Sequence, residues 1–115
     1  MKLPHLDNVR VDREKIVDYL LNPEHSEGGH KAVFFASFRF RLADWQVLAS
    51  ALLRHAADNH VVREVPTAYG TMYVVEGPLY CPDRRRPVVR TVWIVNKGST
   101  APRLVTAYPL KLEQK

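Results

Sequence analysis

An α+β fold, with N-terminal helices packed on a C-terminal antiparallel meander, is what the order of hydrophobic periods in this 115-residue chain predicts. Three observations carry that expectation. Apolar residues recur at helical spacing in the first half, most clearly Trp45, Leu48, Ala49, Leu52, Leu53 and Ala56. Beyond Val61 the pattern changes to short β-rich runs at Thr71–Val75, Val88–Val95 and Pro102–Pro109. Turn residues, Gly77–Pro78 and Asn96–Lys97–Gly98, separate those runs at spacings that suit neighbouring antiparallel strands. No repeat, low-complexity tract or linker interrupts the chain. With 46% hydrophobic residues, positions 1–115 are expected to form a single domain around one core.

The first helix begins after Asp12, which is placed to cap it, with Val11 before the cap and Ile16 inside as a hydrophobic staple. Ile16, Tyr19 and Leu20 continue at helical spacing until Asn22–Pro23 stops the run. A polar loop, Glu24–Gly29, leads to a second helix expected to start near His30, with Ala32, Phe35 and either Ala36 or Phe38 on one face. The third helix carries Asp44 in its first turn and Arg54 and His55 near its end, the polarity that the helix dipole favours. Trp45 is expected in the core, and His55 and His60 on the surface.

Charge is distributed unevenly. From Arg84 onward there are 8 Lys/Arg against a single acid, Glu113, so that part carries a formal +7, while residues 1–83 carry −2. A near-neutral helical half joined to a cationic sheet suggests a face that meets phosphate or an acidic protein. The single Cys81 excludes an internal disulfide framework and fits a reducing compartment. No apolar run approaches the roughly 18 residues of a membrane span. The polar start, Met1 to His5, lacks a secretory core, so a cytoplasmic location is expected. A toxin domain excised from a longer exported protein would share these features. No zinc spacing, phosphate loop, nucleophile elbow or dinucleotide fingerprint is present, so neither a metal nor a cofactor is expected.

Several residues are candidates for chemistry. Strand alternation puts Arg90 with Val88, Val92 and Ile94, where a cation needs either an acid such as Glu76 or the mouth of a cleft. In the last run the same alternation groups Arg103 with Val105 and Ala107, and Leu104 with Thr106 and Tyr108. Arg103 reads equally well as a solvated edge residue. His30 and Lys31 follow Gly28–Gly29 at a helix start, where backbone N–H groups attract anions and glycine lets a phosphate approach. There a neutral His30 suits a general base and Lys31 a cation for developing phosphorane charge; the plainer reading is that His30 caps the helix. His25, in the preceding loop, is a weaker candidate. The run Arg84–Arg85–Arg86 is either a solvated hairpin loop or a set of non-specific phosphate contacts. Tyr73 and Trp93 read as core aromatics, whereas Tyr108, beside Thr106 and Arg103, is the better candidate to face a ligand.

Six segments, DYLLNPEH, GGHKAVFFASF, DW..LA.ALL.HA, YG..YVVEGPL, VR.VWIV and PRLVTAYP, together resemble a small bacterial domain family of unknown function, from about Leu3 to Pro109. More distantly the chain resembles the compact nuclease fold shared by barnase, EndoU, colicin ribonucleases and RelE. That likeness implies metal-independent RNA cleavage, with His30 or Lys31 from the helix, Arg90 from the second strand run, and Arg103, Thr106 and Tyr108 from the last. The chain departs from barnase in lacking an evident glutamate–histidine acid–base pair. A toxin of this kind implies RNA as substrate and an acidic antitoxin or immunity protein as partner. The contrasting readings are a non-catalytic basic module that binds nucleic acid or an acidic protein, and an immunity or antitoxin role, which the basic charge disfavours mildly where the target is a basic nuclease.

Overall fold

The computed structural model describes residues 1–27 and 29–110; Gly28 lies outside them, as do Lys111, Glu113 and Lys115 of the C-terminal charge. A short helix α1 (Arg13–Lys15) runs on as a π-helical turn, Ile16–Leu20. Helices α2 (Gly29–Ser37) and α3 (Trp45–Asp58) follow, and then four strands, β1 (Val61–Pro66), β2 (Gly70–Pro78), β3 (Val88–Asn96) and β4 (Arg103–Pro109). The strands form an antiparallel meander in the order β1-β2-β3-β4, so the expected α+β architecture is observed. One strand was not expected. The run Val61–Val62–Arg63–Glu64–Val65–Pro66 has charges at its centre and a bulge at Val62, and both hide the alternation that marks a strand. Such features protect the edge of a sheet, and β1 is an edge strand.

The helices cover one face of the sheet. From them Ile16, Leu20, Phe35, Leu48, Leu52 and Ala56 enter the core, and Val75, Val89, Trp93, Leu104 and Ala107 meet them from the strands. Asp12 stands at the N-cap of α1 but its side chain makes no capping bond; it is turned toward Arg103, 3.8 Å away. Trp45 is only half-buried, against the rim of the core. Helix α2 ends in a Schellman motif: the Phe40 N–H reaches the Phe35 carbonyl, the Arg39 N–H reaches that of Ala36, and the Phe35 and Phe40 rings lie 6.0 Å apart. Arg39 occupies the left-handed position of that motif (φ 77°), where glycine is usual.

His55 overturns its expected surface position. It is 1% exposed and joins α3 to two strands. Trp93 Nε1, which can only donate, gives its proton to Thr91 Oγ1 at 2.8 Å. The Thr91 hydroxyl then donates to His55 Nδ1 at 3.1 Å. His55 Nε2 faces the carbonyls of Gly77 and Val89 at 3.1 and 3.0 Å, so it must carry the proton. The helical period alone could not distinguish this core histidine from a surface one, because its partners come from 22 to 36 residues away.

The imidazole is neutral in this arrangement. Burial lowers its pKa below 6.5, against the opposing pull of the two carbonyls and of Asp58. The folded protein therefore binds fewer protons than the unfolded chain once the pH drops below about 6.5. Stability is expected to fall with pH from there down to the folded-state pKa, with a slope of at most about 1.4 kcal/mol per pH unit from this group. Replacing His55 with Ala removes the proton linkage, and orphans a hydroxyl and two carbonyls beside a cavity. Urea unfolding at pH 7.5 should show a loss of about 2–4 kcal/mol, and the slope below pH 6.5 should flatten.

Candidate functional site

A bulge in β4 builds the site. Val92 pairs with Thr106 but Trp93 pairs with Leu104, so Val105 is the extra residue. The bulge resets the alternation expected for this strand. Leu104 and Ala107 both face the core, and Arg103, Thr106 and Tyr108 come to share the other face with Arg90 and Val92. Tyr108 lies directly opposite Arg90, and Arg90 directly opposite Glu76.

Arg90 Nε and Nη2 both meet Oε2 of Glu76, at 2.7 and 2.6 Å. Its Nη1 donates to the Tyr108 hydroxyl at 3.3 Å, and its Cζ lies 5.7 Å from the Tyr108 ring centre. The Tyr108 hydroxyl and the Glu76 carboxylate hold the guanidinium still more firmly in its charged form. Because Glu76 neutralises Arg90, this pair orients Tyr108 more than it offers a net charge to a ligand. The Tyr108 oxygen accepts from Arg90, which leaves the phenolic proton free to point elsewhere.

On its other side Tyr108 meets the start of α2. A cleft of about 390 Å³ is lined by His30, Lys31, Tyr108 and Pro109. Lys31 Nζ stands 5.9 Å from the Tyr108 ring and 5.4 Å from that of Tyr19, and donates to the Glu27 carbonyl at 3.1 Å. Tyr19 in turn shares a 2.9 Å hydrogen bond with Thr106 Oγ1. It also carries Lys15 over its ring at 5.0 Å and packs edge-on to His25 at 4.9 Å. Lys15, Asp18, Tyr19, His25, Glu27, Val105 and Thr106 line a second hollow next to the first, with Lys31 at the boundary. The His25 Nδ1 accepts from the Glu27 N–H at 2.9 Å.

Of the residues expected from sequence, His30, Lys31, Arg90, Thr106 and Tyr108 thus gather along β4. Arg103 does not join them. It sits at the opposite end of the strand, five residues and roughly 16 Å from Tyr108, where Asn96 Oδ1 accepts from it at 3.1 Å and Asp12 is its acidic neighbour. Arg84, Arg85 and Arg86 lie elsewhere too, in the β2–β3 loop, where Arg85 reaches the Ser37 carbonyl at the far end of α2 from His30. Tyr19 and Lys15 were missed. Tyr19 read as part of a core stripe, but the π-helical turn, closed by the Leu21 N–H on the Ile16 carbonyl, turns it toward Thr106. Among the described residues no three of His, Cys, Asp and Glu come together in a way that could hold a metal ion.

Cys81 stands apart from the cleft. Its thiol faces the Leu79 carbonyl, 3.4 Å away. Burial first, and the Asp83 charge second, push its pKa up to about 11. Alkylation at pH 8 should be on the order of 100-fold slower than for free cysteine, with a rate that keeps rising as pH increases; timed iodoacetamide labelling read by mass spectrometry checks this.

Comparison with known proteins bears on the whole chain. The model of a family described as a domain of unknown function, DUF6883, matches residues 2–111. No curated protein sequence matches. Among solved structures the chain is similar to one from the contact-dependent growth inhibition toxin–immunity protein complex of Klebsiella pneumoniae 342. The TM-score is 0.70 at 20% identity, over 93% of this chain and 97% of that one, so the two share a fold.

Proposed function

The chain belongs to the DUF6883 family, and from the cleft beside β4 we propose that it is a toxin domain that cleaves RNA without a metal ion. The observation that carries this reading is the convergence of His30, Lys31 and Tyr108 on one cleft, with Arg90 donating to the Tyr108 hydroxyl. In this scheme His30 takes the proton of a ribose 2′-OH, whose oxygen bonds to the adjacent phosphorus. The bond from phosphorus to the 5′-oxygen breaks, and Tyr108 protonates that oxygen, while Arg90 steadies the phenolate that is left. Lys31 balances the charge that builds on the phosphoryl oxygens. Thr106, held by Tyr19, lines the phosphate path. The products are a 2′,3′-cyclic phosphate and a 5′-hydroxyl, and the His30 proton returns to Tyr108 through solvent.

The solved structure similar to this chain comes from a complex of a toxin with an immunity protein. For a chain of formal charge +5, the fitting counterpart is an acidic inhibitor. Purified protein incubated with RNA in EDTA should cleave it. His30→Ala and Lys31→Ala are each expected to lose about 10²–10⁴-fold in rate, and Arg103→Ala to stay near wild type. Equal activity in all three variants would overturn the site. Intact RNA, bound in a strongly salt-dependent way, would make the protein a non-catalytic binding module instead.

A further inference from the structure

Six arginines from three parts of the sequence meet at the end of α2 opposite His30: Arg39 and Arg41 after the helix, Arg54 on α3, and Arg84, Arg85 and Arg86 in the β2–β3 loop. Aromatic rings and one clamp order three of them, Arg54, Arg85 and Arg86. Arg54 and Arg86 lie over the Tyr80 ring, at 3.6 and 4.4 Å, and Arg85 lies over Phe38 at 4.2 Å. Arg85 is clamped between Asp83 and the Ser37 carbonyl, each at 2.6 Å, which ties the loop to α2. Arg39 and Arg41 line a hollow of about 300 Å³ with Asp44, Val47 and Pro82.

Three local acids, Asp44, Asp58 and Asp83, cancel only part of the charge of six arginines. Asp83 is engaged by Arg85 and Asp58 by Arg54. Among the described residues no ion pair engages Arg39, Arg41, Arg84 or Arg86. The backbone adds an independent observation. Among the described residues three other than glycine have left-handed φ, and two of them are Arg39 (77°) and Arg84 (73°). Glycine would close both turns without strain, so two guanidinium groups are placed here against local backbone preference.

We propose that this arginine cluster is a phosphate-binding surface that grips the RNA backbone away from the bond being cut. Planar guanidinium groups already ordered on aromatic faces suit the forked recognition of phosphate. The nine residues of α2 span about 13 Å at 1.5 Å per residue. That length covers several phosphates of an RNA strand, so the surface meets a phosphate a few nucleotides from the cleft. The occupant is therefore an RNA long enough to run the length of α2. The choice of RNA rests on the cleavage reading above.

The test uses a labelled hairpin of 2′-O-methyl RNA, which has no nucleophilic hydroxyl, titrated at several salt concentrations. The Arg39→Gly/Arg84→Gly variant keeps both turns, and its melting temperature should equal or exceed that of wild type. Its slope of log K against log salt should be shallower by about 1.4–1.8, at 0.7–0.9 for each lost phosphate contact. Arg10→Ser/Lys97→Ser removes the same charge elsewhere and should leave the slope unchanged. Absence of hairpin binding by wild type, or equal slopes in the wild type and the glycine variant, would overturn the surface, the latter being the outcome if it serves an acidic protein. Cleavage of unmodified RNA in EDTA is measured alongside. A shallower slope without any cleavage would keep the surface and refute the ribonuclease reading; cleavage with equal slopes would do the reverse.

Discussion

The position of the helical layer on the sheet depends on the hydrogen-bond chain from Trp93 through Thr91 to His55 and on to the Gly77 and Val89 carbonyls. Apolar contacts between α3 and the strands would tolerate some sliding, because dispersion has little directionality. The buried chain tolerates it less, since hydrogen bonds are directional and an unmet partner in the core is costly. No buried side-chain nitrogen or oxygen among the described residues lacks a partner. The chain also binds α3 to β2 and β3 together through one histidine.

With the helical layer placed, two small irregularities make the cleft. The π-helical turn at Ile16–Leu20 brings Tyr19 to Thr106, and the bulge at Val105 brings Thr106 and Tyr108 to the same face as Arg90. Each costs regular backbone bonding, and each re-aims a side chain that regular geometry would send elsewhere. Without the bulge, Leu104 and Ala107 could not both face the core. The same insertion thus serves packing and the site.

The charge of the molecule is organised by tertiary contact more than by position along the chain. The sequence suggested a near-neutral helical half and a cationic sheet. In the fold Arg39, Arg41 and Arg54 from the helical half join Arg84, Arg85 and Arg86 at one end of α2, while His30 and Lys31 lie at the other. Within the sheet, Arg90 is neutralised by Glu76 and Arg103 lies beside Asp12. A count of cations along the chain therefore overstated the sheet and missed the helices. The RNA path proposed above accordingly runs between the two ends of α2, not across the open face of the sheet.

The sequence by itself determined the α+β class, the three helices, three of the four strands and the pairing of His30 and Lys31 at a helix start. Those features rest on local periodicity, capping and turn chemistry, which act over a few residues. The tertiary structure alone decided that His55 is buried, that Val61–Pro66 is a strand, that Arg103 stands apart and that Tyr19 borders the cleft. In each case the deciding partner is distant in sequence, or a single inserted residue shifts the period, and neither leaves a periodic mark. Arg90 falls between the two. Its need for an acid was legible in an apolar run, but its contact with Tyr108 depends on the register of β3 against β4.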